Sequence, residues 1–244
     1  MRFHFAVAVL TLAGCAASAP QLPDLAHTDA VLLGEQHDAP LHPGLQQQWV
    51  AALAARGTLA ALALEMAERG TSTAGLPPGA SEAQVQAALH WNTQAWPWDR
   101  YRPAIMEAAR AGVVVLGANL PRAGQQQAMG DASLDQLLTG PALKAQQQAI
   151  RIGHCELLPE NQIRPMTRIQ IARDRAMAEA VAAAMVPGKV VLLIAGAGHV
   201  QPDVGVPLYL PAKVVARSVV LPPEAVEGED HCEALRKQMA RPAS

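Results

Sequence analysis

The sequence predicts an α/β fold, a three-layer sandwich with a mainly parallel central sheet and helices on both faces. Short apolar runs alternate along the chain with longer amphipathic segments. Glycines, prolines and capping residues separate most of these segments. An alternation of strand and helix is typical of parallel strands joined by crossover helices, which cover both faces of the sheet.

The strands are predicted from short apolar runs that end at polar or turn-forming residues. The second run is rich in alanine, so a helix competes with a strand there. Two further runs flank Pro211 and predict a strand pair. The predicted strands are residues 30–33, 59–64, 113–117 and 189–195, followed by the pair 207–210 and 214–219.

The helices are predicted from apolar residues at helical spacing and from their start and stop signals. Pro43 suits a first helical turn, and Ser81 suits an N-cap. Gly57 and Gly112 end two of the segments, and Pro187 breaks the longest one. The predicted helices are residues 43–55, 81–89, 101–111, 134–152 and 167–185.

The first fifteen residues are typical of a bacterial lipoprotein signal. Arg2 precedes an apolar run at residues 3–12, which is too short for a permanent membrane helix. The run ends in the small-residue box Leu-Ala-Gly-Cys, with Cys15 last. We therefore expect a mature chain that begins at Cys15, with a diacylglyceryl group on the thiol and palmitate or a similar acyl chain on the amine. The alternative is an ordinary secretory signal that is cleaved elsewhere, with an incidental cysteine.

The lengths predict four regions: a signal peptide at residues 1–14, a lipidated tether at 15–25, one α/β domain at 26–222 and a polar tail at 223–244. Ala16 follows the cysteine, where an aspartate would favour retention in the inner membrane. By this sorting habit, we expect the protein at the outer membrane of a Gram-negative bacterium, facing the periplasm.

Charge and cysteine content bear on the possible partners of the protein and on its disulfide bonds. The formal net charge is −2 and no basic run is present, which argues against a nucleic-acid partner. Apart from Cys15, the chain contains Cys155 and Cys232. Two cysteines in an exported protein favour a disulfide, and two free thiols are the alternative.

Polar residues follow each of the four main predicted strands. Such residues also cap ordinary helices, but together they predict a site, because parallel strands end at one edge of a sheet. Gly34, Gly196 and Gly198 would let the chain turn sharply there and approach a ligand. The polar residues are Glu35, His37 and His42 after the first strand, Glu65 after the second, Asn119 after the third and His199 after the fourth.

Two chemistries suit this set. His37, Glu65 and His199 are a plausible metal triad, or a pair of histidines that act as general bases with Glu35 or Glu65. Their spacing is not that of a local zinc motif, and the sequence has no nucleophile elbow or P-loop.

An aromatic cluster precedes and enters the third predicted helix. It is either a plug of the core or an apolar wall for a flat ligand such as a porphyrin, whose iron a tyrosinate can ligate. Arg100 and Arg102 would then pair with propionates, or else be solvated. The cluster comprises Trp91, Trp96, Trp98 and Tyr101.

We expect most of the other polar residues to lie outside the site. The long helix has charged residues that we expect mainly on its exposed face, although Arg173 and Asp174 could reach the site. We expect His154 to be structural, beside a disulfide, and His90 to lie on the surface.

Seven segments follow one another along the chain from residue 31 to about residue 210: VLLGEQHDAPLHPGLQQQWV, ALEM, WPWDRYRPAIMEAAR, GANLPR, GHCELLPE, IQIARDRAMA and IAGAGHVQPDVGVP. This ordered series resembles the ChaN family, the haem-binding uptake group of the Tiki and erythromycin-esterase-like superfamily.

The resemblance implies an α/β lipoprotein of iron acquisition that binds haem, in one member as a dimer with two stacked haems, Tyr ligation and a nearby His. Superfamily relatives instead hydrolyse peptides or lactones with histidines and glutamates at the strand ends. Tyr101 matches a recurrent position in the Trp-rich segment, and Tyr209 is the other candidate for the haem ligand. The histidines and glutamates that the superfamily shares at the strand ends correspond here to Glu35, His37, His42, Glu65 and His199.

We therefore expect a lipid-anchored protein that retains or relays haem, with Tyr101 as the iron ligand. Its expected partners are haem, the membrane, a second copy of the chain and haem transport components. The rival is a peptide or ester hydrolase that activates water directly or through a divalent metal, and a structural lipoprotein with a relict site is a third option. The other expected haem contacts are His37, His42, Trp98, Arg100 and His199.

Overall fold

The computed structural model describes residues 22–225 and 231–240. A five-stranded sheet lies at its centre, with the order β3-β2-β4-β1-β5 and every neighbouring pair parallel. The strands are β1 (Ala30–Glu35), β2 (Leu59–Glu68), β3 (Val114–Asn119), β4 (Val190–Gly196) and β5 (Ala216–Val220). The strand prediction for the alanine-rich second run is confirmed.

Helices connect the strands, as the alternating pattern predicts. Ser81 caps α2 through a capping box with Gln84, so this predicted cap is confirmed. The helices are α1 (His42–Ala55), α2 (Glu82–Ala88), α3 (Trp98–Arg110), α4 (Arg122–Gly130), α5 (Gly140–Gly153), α6 (Glu160–Ala183) and α7 (His231–Met239), with 3-10 helices at Ala132–Gln136 and Val206–Tyr209.

The two faces of the sheet bury two separate apolar clusters. Val31 and Leu33 of β1 pack toward α1, α2 and α3, whereas Leu32 packs toward α6 with Met177. Alternate residues of a strand point to opposite faces, so one apolar run serves both layers. The predicted three-layer α/β sandwich is confirmed.

Several elements differ from the prediction, and three of the differences have a local cause in the sequence. The 3-10 helix Val206–Tyr209 replaces most of the strand predicted at 207–210, since Pro207 lies in its first turn and has no N–H to donate to a sheet. The helix predicted at 134–152 is divided, because Gly140 adopts a φ of 53° where α5 begins. Helix α6 begins at Glu160 rather than at residue 167, and Pro165 lies inside its second turn.

A disulfide joins Cys155, which follows α5, to Cys232 in α7. The predicted pairing is therefore present, and it links positions that are 77 residues apart. Within residues 22–225 and 231–240, no helix is long and apolar enough to cross a membrane. The predicted signal peptide, Cys15 and most of the predicted tether lie outside the described residues.

Candidate functional site

The site lies at the carboxyl edge of the sheet, where the ends of β1, β2 and β4 meet. His199 Nε2 lies 3.3 Å from one oxygen of Glu65, and His37 Nε2 lies 3.8 Å from the other. The three residues come from distant parts of the chain and share one location because their strands are parallel neighbours. Their predicted proximity is confirmed.

Glu65 is the centre of the cluster. The register between β2 and β3 shifts after Leu64, and this irregularity precedes the strand end. The buried carboxylate accepts hydrogen bonds from the Gly196 N–H at 2.6 Å and from the guanidinium of Arg173. Burial alone would raise the pKa of Glu65, but the charges of His199 and Arg173 outweigh it and hold that pKa well below its usual range.

Helix α6 supplies the second carboxylate. Asp174 Oδ1 lies 2.5 Å from His199 Nδ1, and both side chains are buried. Burial opposes the charge on His199, yet the carboxylates of Glu65 and Asp174 raise its pKa to about 9. Burial also raises the pKa of Asp174. The imidazole is therefore protonated at neutral pH and is held between two acids.

The α6 residues were only partly anticipated. Asp174 and Arg173 reach the site rather than the exposed face, and Arg173 Nε also donates to Asn119 Oδ1 at 3.0 Å. Asp174 lies three residues after Ile171 and three before Met177, both fully buried, so helical spacing carried this signal. Sequence reasoning did not identify two further residues of the site. The amide nitrogen of Gln170 lies 2.9 Å from His199 Nδ1, and Gln46 donates a hydrogen bond to Glu35.

Glu35 forms a second buried acid beside His37. Its carboxylate lies 2.8 Å from His37 Nδ1 and accepts a hydrogen bond of 2.7 Å from the phenol of Tyr101. Burial lowers the affinity of His37 for a proton, but the hydrogen bond to Glu35 and the charge of Glu65 outweigh it and raise the pKa of His37.

Tyr101 is buried beneath the polar cluster. Its side chain is 1% exposed, and its hydroxyl is directed at Glu35 beneath the site. Burial and the neighbouring carboxylates raise the pKa of this phenol, which disfavours a tyrosinate. Tyr209 is also unsuited, because its hydroxyl is buried and burial raises its pKa to about 12. The expected iron ligation by Tyr101 does not fit this arrangement.

Three other expected haem contacts are structural. His42 is fully buried, with Nδ1 accepting from the Gln36 N–H at 3.0 Å and Nε2 donating to Pro222 O at 3.0 Å. Trp98 is buried in the core and donates to Glu82, which fits the interpretation as a core plug. Arg100 donates to Ala39 O at 2.5 Å. The expected haem contacts of these three side chains do not fit the structure, because each side chain is hydrogen-bonded within the protein.

The glycines at this edge serve packing. A Cβ on Gly34 would lie 2.5 Å from Val200, and a Cβ on Gly196 would lie 2.9 Å from His37 Nε2. Gly198 has no neighbour within 4 Å of such a Cβ. At Gly34 and Gly196 the backbone therefore approaches other side chains of the protein closely, whereas the expected close approach was to a ligand.

A cleft of about 580 Å³ opens beside Glu65, at the ends of β2 and β3. This volume lies in the range of small-molecule sites. The indole of Trp96 forms part of its wall and contacts the ring of His37 edge-on, with a centroid distance of 4.9 Å. Its lining includes Glu65, His90, Trp96, Asn119, Leu120 and Arg122.

The acid and base groups at this edge are bonded mainly to one another. Within the described part of the chain, no group of three His, Cys, Asp or Glu side chains is arranged to hold a metal ion. The cluster can store a proton and fix the edge of the cleft, and the cleft can hold a ligand. The geometry does not favour the metal-dependent form of the hydrolase alternative.

Comparisons with known proteins identify the family of the chain. The family described as haem-binding uptake, Tiki superfamily, ChaN matches residues 21–210. ChaN of Campylobacter jejuni, whose structure shows cofacial haem binding, is 26% identical, with a TM-score of 0.63 over 80% of this chain and 81% of that chain. The type III effector HopBA1 is 20% identical over 79% of this chain and 75% of that one, and its TM-score of 0.43 carries no functional argument. No curated protein matches the sequence. Because the family match spans most of its length, the chain belongs to the ChaN family of haem-binding uptake proteins in the Tiki superfamily.

Proposed function

We propose that this protein binds haem in the cleft beside Glu65 and retains or relays it during bacterial iron acquisition. The family match over residues 21–210 carries the proposal. The similar structure of Campylobacter jejuni ChaN, with its cofacial haem binding, supports the same cofactor.

The residues of the cleft fit a porphyrin. Trp96 and Leu120 supply apolar contact for a flat macrocycle, and Arg122 supplies a cation that suits a carboxylate. When bound, haem supplies an iron centre and an extended apolar surface. The chain contributes the wall of Trp96, the polar rim and the exclusion of water from one face of the ring.

The lower edge of the cleft is fixed by the buried charges. Arg173 neutralises Glu65, and His199 lies between Glu65 and Asp174. Buried charges persist only when they are paired and hydrogen-bonded, so these contacts hold Glu65 in place in the wall of the cleft. A wall that is already in place lowers the conformational cost of ligand binding.

We extend the proposal to the setting of the protein. Cys15 carries the lipid anchor that the sequence predicts, at the periplasmic face of the outer membrane, where haem transport components exchange haem with the cleft. Two copies stack their haems face to face, as cofacial binding in the Campylobacter jejuni protein suggests. Stacking hides apolar macrocycle surface, so haem binding and dimerisation are linked.

Hemin titration of the detergent-solubilised full-length protein tests the proposal. We expect saturable uptake in the visible spectrum, and a larger assembly by sedimentation when hemin is added. Trp96→Ala should weaken binding about tenfold, or by ~1.4 kcal/mol, because it removes the apolar wall. Uptake that stays linear with hemin concentration would overturn the proposal. Hydrolysis of peptides or esters that depends on His199, without saturable hemin uptake, would replace it.

A further inference from the structure

The chain enters the domain at the amino edge of the sheet, the edge where the parallel strands begin. Leu22 and Leu25 pack against the apolar cluster on the α1 side. Residues 24–29 line a cavity of about 540 Å³ together with Thr58 and Val190, which lie where β2 and β4 begin. The first described residues are therefore held at the edge opposite to the cleft beside Glu65.

The length of the predicted tether limits how the domain can face a bilayer. Leu22 is seven residues after Cys15, so the chain between them spans at most about 25 Å. The rise along β2 from Leu59 to Glu65 is about 20 Å. A tether that brought the carboxyl edge onto the bilayer would have to run along the whole side of the domain, with almost no length to spare. A lipid on Cys15 therefore favours an arrangement in which the amino edge faces the bilayer.

Exposed cations are spread along the amino edge. One lies in the segment just before each of the strands β2, β3, β4 and β5, and none forms a salt bridge within residues 22–225 and 231–240. Asp24 and Asp29 lie at the same edge, but their carboxylates accept the N–H groups of Ala26 and Val215. Cations are therefore in excess at this edge. They are Arg56, Arg110, Lys189 and Lys213.

Two exposed valines accompany the cations. Val186 precedes β4 and is 46% exposed, and Val215 precedes β5 and is 52% exposed. Arg56 and Arg110 lie at the ends of α1 and α3, where a cation also stabilises the helix dipole. That role does not extend to Lys213 or to the valines. Cations beside exposed apolar side chains suit the interface of an anionic bilayer, which offers phosphates and acyl chains together.

The carboxyl edge has a different charge. Asp38 and Asp203 are exposed in the loops that follow β1 and β4, and Glu68 is exposed at the end of β2. Of the neighbouring cations, Arg69 is paired with a glutamate of α6, and Arg122 lies at the rim of the cleft. An anionic lipid surface therefore attracts the amino edge more strongly than the edge that carries the cleft.

We propose that the amino edge of the sheet contacts the anionic phospholipid headgroups of the bilayer that anchors the protein, so that the cleft opens away from the membrane. This inference rests on the lipid anchor of the proposed function and does not depend on haem binding. Four cations near an anionic surface correspond to a dissociation constant on the order of 1 mM. Such a contact is too weak to hold the protein without its lipid. It is sufficient to orient an anchored domain, because a short tether gives an effective concentration that is also about millimolar.

Quenching of a site-specific fluorescent probe by brominated lipid tests this orientation. The lipidated protein is incorporated into vesicles of phosphatidylethanolamine and phosphatidylglycerol. Ala212→Cys places the probe beside Lys213 at the amino edge, and Asp203→Cys places it at the carboxyl edge; both positions are exposed. The probe should react only there, since Cys155 and Cys232 are joined and Cys15 carries the lipid. We expect quenching at position 212 to be several-fold stronger than at position 203.

Removal of two cations tests the contact with the headgroups. Lys189→Gln with Lys213→Gln should raise the dissociation constant about 20-fold, so that most of the difference between the probes is lost. Lys144→Gln with Arg164→Gln is the matched control, because it removes the same charge from α5 and from the first half of α6. This control should behave as the wild type. Vesicles without phosphatidylglycerol should also reduce the difference between the probes.

Several results would overturn the proposal. Equal quenching of the two probes, or stronger quenching at position 203, would contradict the orientation. A difference that persists without phosphatidylglycerol and after removal of Lys189 and Lys213 would show that the tether alone orients the domain. A dimer in detergent that is lost in the same variant would assign the amino edge to a second copy of the chain. Failure of the wild type to associate with vesicles would overturn the anchor as well, whereas hemin titration of the same samples reports haem binding independently.

Discussion

The phenol of Tyr101 donates a 2.7 Å hydrogen bond to the carboxylate of Glu35, underneath the polar cluster rather than at its surface. Glu35 in turn holds His37, which faces Glu65. The aromatic segment and the strand-end residues therefore form one connected structure. In that structure, Tyr101 positions an acid and is not itself directed toward the cleft.

Tyr101→Phe should destabilise the protein and leave haem binding unchanged. The variant keeps the ring but removes a donor to a buried carboxylate, at a cost of about 1–3 kcal/mol in the free energy of unfolding. Urea denaturation measures this loss. Tyr209→Phe is the matched control, because the buried Tyr209 hydroxyl has no partner among the described residues, and its removal should cost less than about 0.5 kcal/mol. Loss of the ferric hemin spectrum in Tyr101→Phe would restore the tyrosinate assignment.

Stability should fall as the pH rises from about 6.5 to 9. His199 has a folded-state pKa of about 9, above its ordinary value, so its contribution is fully present below pH 6.5 and is lost as the pH passes 9. The raised pKa of His37 acts in the same direction. The lowered pKa of Glu65 acts elsewhere, because its contribution is present above pH 4.5 and is lost in acid.

Urea denaturation at a series of pH values measures this dependence. We expect the free energy of unfolding to decrease by on the order of 2–3 kcal/mol across the alkaline window. His199→Gln removes the group with the larger shift and should reduce the slope there, leaving the smaller dependence that comes from His37. A wild-type profile that is flat between pH 6.5 and 9.5 would contradict a protonated His199 between Glu65 and Asp174.

The sheet and its polar edge were predictable from the sequence because both depend on local signals. Apolar runs fix the strands, and a parallel arrangement brings the ends of those runs together. Proximity of His37, Glu65 and His199 follows from these two facts alone. The shift in register after Leu64 and the contact of Arg173 with Glu65 could not be predicted in this way, since they depend on segments that are remote in sequence.

The orientation of Tyr101 was predictable in part. It shares a face of α3 with Ala104, Ile105 and Ala108, all buried, and this spacing of three, four and seven residues indicates the core side. The tyrosine was instead assigned from its chemistry. The expected position of His90 at the surface, by contrast, is confirmed, because its side chain is exposed.

Gly196→Ala should displace His37 from Glu65. The new Cβ would lie 2.9 Å from His37 Nε2, and the half-exposed ring can rotate toward solvent. We expect the pKa of His37 to fall toward its ordinary value, with a loss of stability of about 1 kcal/mol. Proton NMR titration of the imidazole measures the pKa. Gly198→Ala is the control, because its Cβ would have no neighbour within 4 Å, and an equal shift in both variants would contradict the proposed contact.

Cys15→Ser should release the protein from membranes. Lipid attachment requires the thiol, and several acyl chains anchor a protein stably where one chain does not. Fractionation of cells that express the wild type or the variant measures the membrane-bound share. Ser18→Ala is a control outside the small-residue box and should stay bound. Membrane association of Cys15→Ser equal to that of the wild type would contradict lipidation at this position.

Loss of the disulfide should destabilise the domain without changing the cleft. Cys155 and Cys232 close a loop that spans 77 residues, and such a closure contributes about 2–4 kcal/mol, mainly by restricting the unfolded chain. Cys155→Ala with Cys232→Ala should therefore unfold at lower urea concentration than the wild type. Reductant should shift the wild type to the same midpoint and leave the double variant unaffected.

The hemin spectrum should not change, because β5 and the segment after it are also held by the bond from His42 to Pro222 O. Thiol titration of the unfolded, unreduced wild type should find neither cysteine free, and two reactive thiols beyond Cys15 would exclude the disulfide.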